Sequence, residues 1–332
     1  MRALVYHGPW QMTLEEVDEP RPGPGEVLVD VQAVGICGSD VHGYTGSTGR
    51  RAPGVVMGHE FSGVVVALGD GVSGVQSEDE VVVSPMFPFE GKGTRYVVGV
   101  NRPGAYADYA IVHESMLIPK PTGLSFRHAA MAEPLSIAMH AAARTPIPLM
   151  GTVAVIGAGT IGLLTLQSAR LKGAGKIIVT DMSEHRLALA RELGADVTIN
   201  IKEQDPVEVV MDMTGGWGVD CAIEAVGITP AVQQAHKLTR NGGDITWIGN
   251  SALMIEVNMQ EVVTRELTVR GTYGFSDEFT KSIDAGVGRV NVEPLIERIA
   301  TLEEGPALVD AGQGRSGPGQ GHPGTVMKLS HG

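Results

Sequence analysis

One segment constrains the fold of this chain more than any other: Val153-Ala-Val-Ile156, then Gly157-Ala-Gly159-Thr-Ile161-Gly162, then Leu163-Leu-Thr-Leu-Gln-Ser-Ala. A β-branched apolar run, a G-x-G-x-x-G turn and an amphipathic stretch, in that order, predict a strand, a tight turn and a helix. Each glycine has its own task. Gly157 makes the turn, Gly159 lets a pyrophosphate approach the backbone, and Gly162 lets helix and strand pack closely. The N–H groups of the first helical turn then face the phosphates. Asp181 ends the next apolar run, Lys176-Ile-Ile-Val-Thr. A carboxylate there accepts hydrogen bonds from ribose hydroxyls and repels a 2′-phosphate, so the expected cofactor is NAD rather than NADP. Ile161 in the turn and Arg186 on the following helix are further candidate cofactor contacts. Arg186 reads either as a group that meets adenine or phosphate or as a solvated helix residue.

From Gly151 onward, apolar strand and helical period alternate, the mark of βαβ units in a parallel sheet. The strand candidates are 153–156, 176–180, 196–200, 219–224, 244–248 and 267–270, a number that matches a doubly wound sheet of two mononucleotide-binding halves. Before that region the chain reads as β-rich: Val27-Leu-Val-Asp-Val-Gln alternates, Gly63-Val-Val-Val-Ala-Leu is β-branched, and Pro20 to Gly25 is a loop. After Gly271 the alternation stops. The expected division is a first domain of residues 1–137 completed by 275–332, and a nucleotide-binding domain of 138–274. Residues 311–324 are too rich in Gly and Pro for a helix or central strand and read as a mobile loop, followed by a last strand at 326–329.

Composition narrows the partners. The net charge of −13 would repel both a nucleic-acid backbone and anionic lipid head groups, so neither is an expected partner. No apolar run approaches the roughly 20 residues that span a bilayer, and the first residues lack the apolar stretch of a signal peptide. The default location is the cytoplasm. Two cysteines, Cys37 and Cys221, supply neither a disulfide framework nor a four-thiolate zinc site. Any metal must draw mainly on His and carboxylate.

Three segments hold such groups: Gly35-Ile-Cys37-Gly-Ser39-Asp40-Val-His42, Gly58-His59-Glu60-Phe-Ser-Gly63 and Ala132-Glu133-Pro-Leu135. A catalytic zinc takes about three protein ligands and keeps one position for water or substrate. Cys37, His59 and one of Glu60 or Glu133 meet that count. Taken singly, Cys37 is equally a small core residue, His59 a turn histidine and Glu133 a carboxylate at a helix start. Beside a dinucleotide fold the combination gains weight, because zinc next to a nicotinamide suits alcohol oxidation.

In these motifs the chain resembles the zinc-dependent medium-chain alcohol and polyol dehydrogenase superfamily. The resemblance implies an α/β protein, with a GroES-like β-rich catalytic domain and a doubly wound Rossmann domain. It implies one catalytic zinc per chain on Cys37 and His59, with Glu60 or Glu133 completing the site, and hydride transfer from a secondary alcohol to NAD. Ser39 would take the alcohol proton and pass it through the nicotinamide ribose to His42, Glu60 would count among the catalytic groups, and Asp40 would orient His59. The substrate would be a polyol, sugar alcohol or hydroxy amino acid. A homodimer or homotetramer is expected through the sheet edge at 267–270.

Two departures stand out. Phe87-Pro-Phe-Glu-Gly-Lys-Gly-Thr-Arg-Tyr replaces the four closely spaced cysteines of the family's structural-zinc lobe, so no structural zinc is expected. Gly271-Thr-Tyr-Gly replaces the Arg-Tyr pair of sorbitol dehydrogenases. A zinc-free quinone or enone reductase of the same superfamily and a catalytically silent nucleotide-binding protein are the alternatives. The loop Gly43–Arg51 is expected to shape the substrate pocket, with Tyr44 either lining it or capping the core.

Overall fold

A computed structural model describes residues 1–47, 49–86, 96–286, 288–311 and 325–328. The chain divides into two compact units, Met1–Glu133 with Ile283–Gly332, and Pro134–Ser282. Among the described residues, no helix is long and apolar enough to cross a membrane.

The first unit is built from antiparallel strands. They are β1 (Arg2–Gly8), β2 (Gln11–Glu16), β3 (Glu26–Gly35), β4 (Val55–Val56), β5 (Glu60–Leu68), β6 (Glu80–Val83), β7 (Tyr109–His113) and β8 (Leu117–Pro119). The second unit contributes β9 (Thr152–Ile156), β10 (Lys176–Asp181), β11 (Val197–Asn200), β12 (Val219–Glu224), β13 (Thr239–Trp247) and β14 (Thr268–Gly271). The chain then returns to the first unit with β15 (Arg298–Ala300) and β16 (Thr325–Lys328). Of residues 311–324, expected as a loop, Ala311 instead ends the helix Gly305–Ala311 and 312–324 lie outside the described residues; the strand after them runs Thr325–Lys328, where 326–329 was expected.

In the first unit β3 is the hub. It pairs with β5, β7 and β16, and the larger sheet runs β15-β16-β3-β5-β6-β8, while β2-β1-β4 forms a small second sheet. Val27, Val29, Val31 and Val34 of β3 join Phe61, Val65, Val81, Val83, Met57 and Tyr106 in one buried cluster. Each fully buried aliphatic side chain of this kind contributes about 1.5–3 kcal/mol. Near the end of the β3–β5 ladder Gly35 stands opposite Glu60. That register brings the residues just after β3 and those at the start of β5 to one place.

In the second unit six parallel strands run β11-β10-β9-β12-β13-β14. This is the 3-2-1-4-5-6 order of a doubly wound sheet, whose direction of winding reverses between β9 and β12. Val153–Ile156, Ile177–Val179 and Cys221–Ile223 are all buried, as expected of strands covered on both faces. Most strand boundaries fall within one residue of the sequence reading, and the largest difference is at β13. β13 starts at Thr239, opposite Val219, and its register shifts before Asp244 meets Cys221. The extra residues include Gly242 at φ +67°, so a glycine-containing irregularity lengthens a strand whose apolar run begins only later.

Candidate metal and cofactor sites

Cys37 lies two residues beyond β3 and caps the helix Gly38–Tyr44. Its backbone is extended (φ −79°, ψ 147°), and its Sγ accepts the Ser39 N–H at 3.4 Å. His59 stands just before β5 and Glu60 opens it; they follow Gly58, whose φ of +90° and close approach to Tyr106, 2.5 Å from where a Cβ would stand, admit no side chain. The donor atoms of Cys37, His59 and Glu60 lie within 4.8 Å of one another, a single such cluster among the described residues. Gly35 is part of the construction, because a Cβ there would stand 2.2 Å from Glu60 Oε2.

Behind the cluster Asp40 is fully buried. Its Oδ1 accepts from Arg51 Nη2 at 2.9 Å and faces His59 Nδ1 at 3.3 Å, and its Oδ2 accepts the Tyr106 hydroxyl at 2.8 Å. Burial alone would raise the Asp40 pKa, but His59 and Arg51 overcome it and hold the group at about 2. Burial would likewise lower His59, and the negative field of Asp40 and Cys37 lifts it well above its ordinary value instead. The donors themselves are pushed toward their protonated forms. Burial and the neighbouring Glu60 raise Cys37 to about 11, burial raises Glu60 to about 7, and burial raises Glu133 to about 8. Crowded buried acids of this kind are relieved by a divalent cation, which deprotonates its ligands. Thiol, imidazole and carboxylate in a set of three match zinc with a position left for substrate. The residues present therefore fit the metal.

The two carboxylate candidates separate here. Glu60 belongs to the three-donor cluster. Glu133 lies in the first turn of the helix Ala132–Arg144, buried and within the field of His59 and Glu60, but outside that cluster. Ser39 is exposed on the first turn of its helix, with Oγ 3.5 Å from His59 Nε2. His42 follows three residues later on the same face. It is partly buried, which lowers its pKa. Tyr44 turns into the core, packing edge-on against Trp10 with ring centres 5.7 Å apart.

Arg51 and Tyr106 escaped the sequence reading. Arg51 reaches Asp40 because Gly43 has no side chain in its path; a Cβ there would stand 2.9 Å from Arg51 Cγ. No sequence signal marks either residue, since both act by reach across the fold. Residues 87–95, where the cysteine-bearing lobe was expected to be missing, lie outside the described residues.

The glycine turn of the second unit divides its tasks among its three glycines. Gly157 sits at φ +97°, and a Cβ on Gly162 would stand 1.8 Å from the Gly157 carbonyl oxygen. Gly159 caps the helix Thr160–Leu171 without a side-chain bond, and a Cβ on it would meet no atom within 4 Å. Asp181 accepts the Ala158 N–H at 2.7 Å through Oδ2 and the Ser183 N–H at 2.9 Å through Oδ1. Each oxygen keeps a second lone pair for a ligand hydroxyl. Ile161 is partly buried in the first turn of the helix, and Arg186 lies on the helix Glu184–Glu192 that follows Asp181.

Two family models match the chain. Residues 23–122 match the alcohol dehydrogenase GroES-like domain, and residues 160–287 match the zinc-binding dehydrogenase family. Sorbitol dehydrogenase of Ovis aries is 33% identical, over 91% of this chain and 90% of its own. The crystal structure of 2R,3R-butanediol dehydrogenase from Bacillus subtilis superposes with a TM-score of 0.87 at 29% identity, covering 100% of this chain and 99% of that one. A zinc-binding dehydrogenase from Sinorhizobium meliloti, solved bound to NADP, gives 0.89 at 27% identity over 99% and 98% of the two chains.

Proposed function

Because the chain belongs to the zinc-dependent medium-chain alcohol and polyol dehydrogenase superfamily, we propose that it oxidises a secondary alcohol with NAD, using zinc held by Cys37, His59 and Glu60. The substrate in this reading is a polyol, sugar alcohol or hydroxy amino acid. The observation that carries the reading is the three-donor cluster backed by Asp40; a zinc-free reductase of conjugated carbonyls would need no such set. The overall change is R2CHOH + NAD+ to R2C=O + NADH + H+. When bound, zinc supplies a Lewis acid for the alcohol hydroxyl and NAD a hydride acceptor. The chain's own residues do the rest. Asp40 holds His59 in orientation, Ser39 Oγ receives the hydroxyl proton, and His42 passes it towards solvent. Gly157, Gly159 and Gly162 shape the turn for the pyrophosphate, Ile161 lies beside it, and Asp181 accepts the ribose hydroxyls.

His42→Ala should slow alcohol oxidation most below pH ~7, where proton removal is hardest, and added imidazole should restore part of the rate. An unchanged pH–rate profile would mean that the proton leaves by another route.

Cofactor choice tests Asp181. A 2′-phosphate beside this buried carboxylate places like charges together, so kcat/KM with zinc-loaded protein should favour NAD over NADP by at least ~10²-fold. Arg186, close by in sequence, is the group that would erode this preference, and comparable turnover with NADP would remove the role given to Asp181. Asp181→Ser should narrow the ratio chiefly by weakening NAD.

The chain is further proposed to form a homodimer or homotetramer through β14, which is the last strand of its sheet. An unpaired edge of this kind is commonly covered by a second copy. Sedimentation showing monomer alone at micromolar concentration would rule this out.

A further inference from the structure

Glu224 ends β12 and is fully buried. Its Oε1 accepts the Val226 N–H at 2.8 Å and the Gly227 N–H at 2.7 Å, and its carbonyl oxygen accepts the N–H groups of Ile248 at 2.8 Å and Gly249 at 3.0 Å. One residue thus ties the loop leaving β12 to the loop leaving β13. Ser251 Oγ adds a bond to the Val226 carbonyl at 2.7 Å, and the Ala252 N–H one to the Gly227 carbonyl at 2.9 Å. The two loops meet backbone on backbone. A Cβ on Gly249 would stand 2.1 Å from Gly227 N and 2.6 Å from Glu224 Oε2.

Two facts set this carboxyl apart from an ordinary turn cap. Its Oε2 has no hydrogen-bond partner among the described residues, and burial raises its pKa. A buried carboxyl with an unpaired oxygen costs stability, so packing alone does not explain its presence. Its location does. Val226 Cγ2 lies 2.6 Å from where a Cβ on Gly157 would stand, which puts the tied loops against the glycine turn, where the winding reverses between β9 and β12. A doubly wound sheet seats one mononucleotide on each half. With adenosine assigned to the half that carries Asp181, the half that carries Glu224 takes the nicotinamide mononucleotide.

We propose that Glu224 is a positioning residue for the nicotinamide end of the cofactor, holding the loops after β12 and β13 as its seat. The inference rests on the NAD-dependent reading above. NADH and ADP are titrated by fluorescence or calorimetry against zinc-loaded wild type, Glu224→Ala and Ser251→Ala. Glu224→Ala should weaken NADH by at least about tenfold and ADP by less than about twofold, because the loops that seat one end of the ligand lose their hydrogen bonds to the Glu224 carboxyl group. Ser251 is exposed, and its replacement should preserve the fold while weakening NADH about threefold with ADP unchanged. This variant carries the test alone if Glu224→Ala does not fold. Equal losses for NADH and ADP, or unchanged NADH affinity in the folded variants, would overturn the proposal. A wild-type protein that binds ADP but not NADH would overturn the cofactor reading and this inference with it.

Discussion

Cys37→Ser is expected to leave a folded protein that has lost its zinc and at least about 10³-fold in kcat, with NADH affinity nearly unchanged. The magnitude follows from removing Lewis-acid stabilisation worth several kcal/mol, at 1.36 kcal/mol per factor of ten. The fold should survive because of where the thiol sits. Cys37 is the N-cap of the helix Gly38–Tyr44 and accepts the Ser39 N–H, and serine is a preferred residue at that position. The substitution therefore keeps the cap and removes the thiol proposed to bind zinc. Metal content, NADH titration and turnover on a panel of secondary alcohols check it together. A variant that keeps both full zinc and wild-type turnover would show that Cys37 is not a ligand. Joint loss of zinc, NADH binding and thermal stability would show a folding defect.

The second large effect is expected at the glycine turn, where three similar substitutions should have three different outcomes. A Cβ on Gly162 would stand 1.8 Å from the Gly157 carbonyl oxygen, and backbone cannot yield as a flexible side chain does. Gly162→Ala must therefore push the helix from β9, at about 1–3 kcal/mol or more of stability, with NADH affinity reduced at least ~10²-fold because the helix N-terminus leaves the phosphates. Gly157→Ala should lose stability too, since φ +97° is strained for any side chain and Val226 stands 2.6 Å away. Gly159→Ala should differ from both. Its Cβ meets no atom within 4 Å, so the melting temperature should hold while NADH binding weakens. Melting curves and NADH titrations of the three variants separate packing from ligand approach, and a Gly159→Ala protein that binds NADH normally would contradict the role assigned to that glycine.

The legibility of the chain varied for physical reasons. β9, β10 and β12 were readable because central parallel strands buried on both faces announce themselves as apolar runs, and the glycine turn because Gly157 and Gly162 answer local steric demands while Gly159 keeps the spacing of the motif. The meeting of Cys37 with His59 and Glu60 depends on register, since Gly35 opposite Glu60 brings two distant segments together. Sequence supplied the residue types but left Glu60 and Glu133 as equals. Only the fold distinguishes a carboxylate at the start of β5 from one in the first turn of a helix. Arg51 and Tyr106 were invisible because they reach Asp40 from elsewhere in the chain, and of the two readings left open for Tyr44 its packing against Trp10 favours the core.

Zinc K-edge X-ray absorption on the purified, metal-loaded protein reads the ligand set itself. About one zinc per chain is expected, with a single sulfur neighbour at about 2.3 Å and the remaining nitrogen and oxygen neighbours at about 2.0–2.2 Å. A shell without sulfur, a shell of several sulfurs, or a protein that takes up no zinc would contradict that ligand set.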